Sequence, residues 1–431
     1  MTWRNHTWTL GVLGLMAMSG VAAAQPKAEP GAGGGSAPAA GAAATEQAAE
    51  SVAVLRGGRG EQLGVVAVSV DGVSVGELVA GVSSARMLSW HQVRSVRGTL
   101  ADAARQYEKT SDAAWRGIAR LDRGDDVGAE SVLEPLAKTY QMRGGPTACA
   151  VFAGLLRCRL ARGAQTLAVE SWTDWMIAGE VAPDAGKGPG VSSFDRAESV
   201  LAGTMDATTG LVTTLPPVWL GVPAVKALAG AEAMPPEAGP GRAQQLKDLY
   251  VQAARFESGL STRLPALDTT WSDAQRLVWQ VVAARIGDDA TRREARAGLA
   301  ARLKGAIPAW QDAWCRVGLG RSLILEQDDE QKREGLLHLL MLAAREDGSD
   351  VYLTGVAIAE AAATMAARGD SAGATVVLAD LSRRYPDHPA MEWSVIKPLI
   401  RGASAMPRAA PREERAAESA AQKDAKTGSE K

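Results

Sequence analysis

"RGDDVGAESVLEPLAKTY" spans residues 123–140, "RGDSAGATVVLADLSRRY" spans residues 368–385, and nine of the eighteen aligned positions are identical. The shared residues have separate physical jobs. Gly124 and Gly369 allow the left-handed cap that ends one helix, and Asp125 and Asp370 can accept hydrogen bonds at the start of the next. Ala129 and Ala374 are small enough for two antiparallel helices to approach closely. Leu133 and Leu136, like Leu378 and Leu381, continue a buried stripe at i, i+3. Tyr140 and Tyr385 close the two copies, and Pro386 stops the later helix. The chain therefore writes one signal twice: helix, tight turn, helix.

This pattern resembles the second half of a tetratricopeptide repeat, a helix-turn-helix unit of about 34 residues. In the later copy Ile358, Ala361, Ala362 and Met365 fall at that family's large, large, small and large positions of the first helix. The earlier copy keeps the small residue as Gly117 but has Arg116 and Arg120 where apolar groups are expected. A third, degenerate turn reads at "RGAQTLAVESWTDW" (162–175), with Gly163, Ala168, Trp172 and Trp175 in register. The resemblance covers about a quarter of the chain. It implies a mainly α fold, a TPR-like array of helical hairpins (a solenoid), with an extended surface that binds peptides or assembles complexes. Further helical segments read at 146–162, 242–258, 271–286, 289–304, 308–325, 331–345 and 351–367.

Ahead of the helices, residues 51–98 carry a period of two. Val65, Ala67 and Ser69 alternate with Val66, Val68 and Val70 up to Asp71-Gly72, a dipeptide suited to a two-residue hairpin turn. A strand precedes at 52–55, and "ARMLSW" and "HQVRSV" supply another pair. Four or five short strands predict a small β-module, SH3-like or Sm-like in pattern only. Helical hairpins are expected over 99–178 and again over 242–401. Between them, residues 179–241 are rich in Gly and Pro, and Pro216-Pro217 forbids a continuous helix. The apolar "LVTTLPPVWL" inside this connector predicts an ordered segment pressed against the array, with short helices near 193–205 and 222–232.

The ends read differently. Residues 1–24 have Arg4, an apolar run from about Leu10 to Val21, and Ala22 and Ala24 before Gln25, the pattern of a cleaved signal peptide. Export to a periplasmic or extracellular space is the expectation. Residues 25–50 read as a disordered Ala/Gly/Pro linker and 402–431 as a disordered charged tail. With 47 basic against 49 acidic residues the net charge is −2, which offers no general pull toward nucleic acid. No later segment is apolar and long enough to span a membrane. Cys149 and Cys158 are about 13 Å apart along one helix and cannot pair. A bridge from either to Cys315 stays open beside three buried thiols.

Catalytic chemistry needs convergent groups. His91, His338 and His388 have no metal-ligand spacing, and "RGGRGEQLG" (56–64) lacks the Lys and Ser/Thr of a phosphate loop. Neither a metal nor a cofactor is expected. The 12 tryptophans, against 5 Tyr and 3 Phe, are the residues to weigh for binding. Trp310 and Trp314 are i, i+4 on one helix face, and Trp219 follows Pro216-Pro217, so these three are the candidate contacts for a ligand or partner. Core filling is the other reading of the same indoles. The leading expectation is an exported, non-catalytic TPR-like scaffold for protein–protein interaction or assembly in the cell envelope. The alternative is a Trp-lined binder of carbohydrate or cell-wall fragments, and the third an envelope enzyme.

Overall fold

Alternating β-branched residues make strands where one face can be buried, and here they make five: β1 (Val52–Leu55), β2 (Gln62–Ser69), β3 (Gly72–Val79), β4 (Val82–Leu88) and β5 (Val93–Arg97). They form one antiparallel sheet in the order β4-β3-β2-β1-β5. The computed structural model describes residues 51–57, 62–79, 82–181, 204–206, 208–230, 241–345 and 350–404. The expected leader, the linker and residues 405–431 of the expected tail lie outside them, as do residues 182–203 and 231–240 of the connector.

Three details of the β-module depart from the sequence reading. Ser69 pairs with Gly72, so the hairpin turn is Val70-Asp71, one residue earlier than expected. Gly72 is needed as the first residue of β3: its φ is 155°, and a Cβ there would collide with the Leu88 carbonyl oxygen of β4. The register also slips between Val65 and Ala67, leaving Val66 exposed as a bulge. The bulge changes the phase, so Val65 and Val68, which strict alternation puts on opposite faces, share the core side. Trp90 does not end a strand; it opens a 3-10 turn (Trp90–Gln92) and packs its ring 5.1 Å from Tyr107.

From Ala101 onward the described residues are helical apart from the connector and the turns between helices. The helices are α1 (Ala101–Arg105), α2 (Glu108–Leu121), α3 (Asp126–Tyr140), α4 (Pro146–Ala161), α5 (Gln165–Val181), α6 (Val225–Ala229) and α7 (Arg242–Glu257). They continue with α8 (Asp273–Ile286), α9 (Asp289–Leu303), α10 (Ala309–Leu323), α11 (Asp329–Ala343), α12 (Val351–Ala367), α13 (Ser371–Arg384) and α14 (Lys397–Ser404). Short turns pair α2 with α3, α4 with α5, α8 with α9, α10 with α11, and α12 with α13. Neighbouring pairs also pack on one another, α3 on α4, α9 on α10 and α11 on α12, while α7 packs on both α5 and α8 and links those two pairs. Helix α8 starts at Asp273 and not at 271, because Ser272 and Gln275 form a reciprocal cap; Trp271 lies just outside it. Residues Gly402–Ser404 complete α14, where the sequence predicts the start of the tail.

The duplicated signal behaves as its chemistry dictates. Gly124 and Gly369 take φ of 76° and 86°, and Asp125 and Asp370 accept from the Gly128 and Gly373 amides. Ala129, Leu133, Leu136, Tyr140, Ala374, Leu378 and Leu381 are buried, while Tyr385 is partly buried and Pro386 exposed. Arg116 points outward, leaving Ala114, Gly117 and Leu121 as the inner stripe of α2.

The structure adds two copies that the sequence comparison does not reach. Ala295/Leu299 of α9 and Gly335/Leu339 of α11 repeat the buried small-then-leucine pair of Ala129/Leu133 and Ala374/Leu378. Their capping residues Asp288 and Asp328 stand seven positions ahead of the small residue, not four as in Asp125 and Asp370, so each helix starts about one turn earlier. Three of these leucines sit on a glycine of a neighbouring helix. A Cβ on Gly154 would lie 2.7 Å from Leu133, one on Gly318 2.9 Å from Leu299, and one on Gly320 2.7 Å from Leu339. Cys149, Cys158 and Cys315 are free and buried, and burial pushes each thiol up to about 12.

The β-module and the first hairpins close on one another through polar contacts. The Tyr140 hydroxyl donates to the Val70 carbonyl (2.9 Å), and the Thr147 hydroxyl donates to the Asp71 carbonyl (2.8 Å) while accepting from the Trp90 amide (3.0 Å). Arg56 reaches from the end of β1 to Ser111 and Asp112 on α2.

Replacing Gly320 with Ala tests the leucine seats. The new methyl would strike Leu339 and the Gly335 carbonyl oxygen, 2.9 Å away, so Gly320→Ala is expected to lower stability by ~1–3 kcal/mol in urea melts. An unchanged midpoint would show that α10 and α11 do not approach as described.

Candidate functional site

A proline-rich, apolar segment that cannot form helix must satisfy its backbone carbonyls in some other way or stay in water. Residues 211–222 solve this with side chains. The Trp314 indole donates to the Thr213 carbonyl (3.1 Å), the Tyr250 hydroxyl to Leu215 (2.6 Å), the Tyr352 hydroxyl to Val218 (2.8 Å), and the Arg321 guanidinium to Trp219 (2.7 Å). These donors come from α7, α10 and α12, so the connector runs as a strap across three helices. The apolar reading of "LVTTLPPVWL" is fulfilled in this packing.

Trp219, Trp314 and Trp310 are brought to the strap, but not as a surface. Trp219 is 1% exposed and Trp314 0%. The Trp219 indole donates to the Tyr250 carbonyl at 3.2 Å and meets Tyr250 and Tyr352 edge-on, both at 6.3 Å. Trp310 is partly buried and packs edge-on against Trp314 at 5.1 Å. As candidate ligand contacts, Trp219 and Trp314 are corrected here: their rings face their own chain. The physical reason is that Pro216-Pro217 turns an apolar run into an element of the core.

Beneath the strap lies a buried group of four charges. Arg321 bonds Glu360 (2.9 Å) and Glu257 (2.8 Å), while Arg285 bonds Glu257 (3.0 Å) and the Arg321 carbonyl (3.1 Å). Burial alone would push the Glu360 carboxyl up, but Arg285 and Arg321 hold it below the usual carboxylate range. The group ties α7, α8, α10 and α12 to one strap carbonyl. Seven large strap side chains, Leu211, Val212, Leu215, Val218, Trp219, Leu220 and Val222, are buried. At roughly 1.5–3 kcal/mol each they contribute on the order of 10–20 kcal/mol, comparable with the ~5–15 kcal/mol net stability of a domain. The strap is core, not a lid.

Tyr352 links the strap to two titratable groups. Its carbonyl accepts from His388 Nε2 (2.9 Å), whose Nδ1 accepts from the Ala390 amide (3.0 Å), so His388 is held neutral, and burial lowers its pKa. Asp350 caps α12 by accepting from the Leu353 amide, yet its other carboxylate oxygen has no partner among the described residues, and burial pushes it up to about 7.

A second concave feature lies away from the strap. Helices α3, α4 and α5 enclose an open cleft of about 140 Å³. Phe152 and Leu155 of α4 form its apolar floor, Glu134 and Lys138 stand on the α3 side, and Glu170, Ser171 and Asp174 on the α5 side. Arg159, buried at one end, donates to Ser171 (2.7 Å), to the Leu167 carbonyl (2.9 Å) and to Glu130 (3.4 Å). Asp174 is 3.5 Å from Lys247. Burial raises the pKa of both Glu170 and Asp174. Sequence reasoning did not single out these residues. The visible signal was weak: two carboxylates one turn apart on a helix whose remaining charged residue is Glu180.

Among the described residues no three His, Cys, Asp or Glu side chains are grouped to hold a metal ion, and no helix is long and apolar enough to cross a membrane. Comparison with protein-family models, with curated proteins and with solved structures finds no match.

Two substitutions probe this region. Arg321→Met leaves Glu257 and Glu360 sharing Arg285 alone and strips the Trp219 carbonyl of its donor, so a loss of ~3–5 kcal/mol is expected in chemical denaturation. A loss below the usual surface-substitution scatter would contradict the buried arrangement. For Asp350 the folded pKa of about 7 exceeds the unfolded value, so the proton's stabilisation is complete below the unfolded pKa and is lost as pH rises through about 7. Asp350→Asn keeps a capping oxygen without the charge; it is expected to raise the melting temperature at pH 8 and to bring little gain at pH 5. An equal shift at both pH values would show that Asp350 is not held protonated.

Proposed function

We propose that the chain is an exported, non-catalytic scaffold of TPR-like helical hairpins that holds a protein partner in the cell envelope. The observation that carries this reading is the recurrence of one pattern, a capping Asp followed by a buried small residue and a buried leucine four positions further on, found in α3, α9, α11 and α13. A chain that repeats one packing unit builds a long, laterally continuous surface, and such surfaces suit extended partners. The same reading takes the β-module as SH3-like or Sm-like, in keeping with the pairing of its first strand with its last. Export rests on the leader-like residues 1–24.

The reactive side chains fit a structural role. The three thiols are buried with pKa about 12, and His388 is fixed by hydrogen bonds at both ring nitrogens. The carbohydrate alternative drew on Trp219, Trp310 and Trp314, and the burial of Trp219 and Trp314 leaves it without those stacking faces.

Site-specific photocrosslinking in the intact cell envelope tests the scaffold reading. A photoreactive residue at Lys138 on α3 or at Val376, 70% exposed on α13, is expected to give discrete protein adducts. Adducts at neither position would contradict a partner-holding array.

A further inference from the structure

We propose that His388 is an acid-sensitive latch: its neutral ring ties the segment from Pro389 to Ile396 to α12, and protonation of that ring opens the segment while the preceding hairpins stay folded. The inference stands apart from the scaffold reading, since the latch responds to acid whatever the array holds.

Hydrogen-bond direction fixes the state of the ring. Nδ1 accepts from the Ala390 backbone amide at 3.0 Å, and a peptide N–H can only donate. Nε2 lies 2.9 Å from the Tyr352 carbonyl, which can only accept, so the proton sits on Nε2. A second proton, added at Nδ1, would set a donor against a donor. The Ala390 bond is then lost, and with it the side-chain cap of the 3-10 turn Pro389–Glu392.

The ring is enclosed. His388 is 6% exposed and lies on the bare backbone of Gly355 in α12, where a Cβ would come within 2.5 Å of it. No counter-charge stands ready for an imidazolium. Tyr352 faces the ring from α12, centroids 5.6 Å apart, and Asp350 heads the same helix. Tyr385, at the end of α13, has its hydroxyl on Arg384; Asp387 is exposed, and Glu392 is taken by Lys397. Among the described residues none of these carboxylates pairs with the ring, and burial lowers its pKa. His338 on α11 differs: Glu334 stands 4.0 Å from its Nε2, and its Nδ1 has no hydrogen bond to lose among the described residues.

The segment depends on this one polar tie. Among the described residues every other hydrogen bond of residues 388–396 stays within 385–400. What remains is apolar packing, with Ala390 and Ile396 buried and Trp393 against Gly221 of the strap. A freed ring regains its ordinary pKa of 6.5, which burial denies it in the closed segment. Closure is therefore complete above about 6.5 and weakens as pH falls toward the lower folded value, by up to about tenfold per pH unit. Asp350 titrates in the opposite sense, so a whole-protein melt blends the two and a local readout is needed.

Hydrogen exchange of the full chain, expressed as protection factors, supplies that readout. Between pH 7 and pH 5 the protection of residues 386–396 is expected to fall about tenfold while that of α8 and α10 holds. His388→Asn keeps a capping oxygen for the Ala390 amide and removes the titration, so its protection should be level over the same range. Nitrogen-15 NMR of histidine-labelled, unsubstituted chain is the second measurement, and should show an Nε2–H ring still neutral at pH 5. A charged ring in a segment that stays protected, the same fall in His388→Asn, or a fall shared equally by α8, overturns the proposal.

Discussion

Four backbone carbonyls in seven residues, Thr213, Leu215, Val218 and Trp219, are held by side chains of α7, α10 and α12. That row of bonds is the constraint on which the second half of the molecule depends. A buried peptide carbonyl without a partner is costly, and a Pro-Pro sequence cannot supply partners from its own helix. Tyr250, Trp314, Arg321 and Tyr352 are therefore fixed in position by the strap as much as they fix it. The Arg285–Glu257–Arg321–Glu360 group follows from the same need, since an Arg reaching a core carbonyl must itself be neutralised.

The helical pairs are governed by a second constraint, the distance between neighbouring backbones. Leucines of α3, α9 and α11 rest on Gly154, Gly318 and Gly320, which lets the helices approach more closely than a Cβ would permit. The device explains why small residues recur along the chain at places where helix propensity alone would favour other residues. It also links sequence to architecture, because the seats join successive hairpins at Leu133–Gly154 and Leu299–Gly318 and the two helices of one hairpin at Leu339–Gly320.

Much of this fold was legible in the amino acids. The Gly-Asp pairs at 124–125 and 369–370 place the turns, and apolar periodicity places most helices to within about two residues. The copies in α9 and α11 stayed hidden because their caps sit a turn further from the seat, which breaks a gap-free comparison while leaving the three-dimensional contact intact. In the β-module, a bulge at Val66 and the glycine requirement at Gly72 reset a period that simple alternation extends too far. The tryptophans were ambiguous in principle: an indole at helical spacing suits a groove or a core equally, and only the course of the strap assigns Trp219 and Trp314 inward. The cleft was not legible, since Glu134, Phe152 and Glu170 come from three helices whose adjacency is a tertiary fact.

These pieces give the proposed scaffold a particular form. The strap fills the face across α7, α10 and α12, and a separate cleft lies among α3, α4 and α5. The claim that everything else leans on is that the strap belongs to the cooperative core. Native-state hydrogen exchange measures this directly. Peptides covering 211–222 should exchange only with the free energy of global unfolding, matching those from α10 and α12. Exchange of the strap at loop-like rates while those helices stay protected would contradict the account.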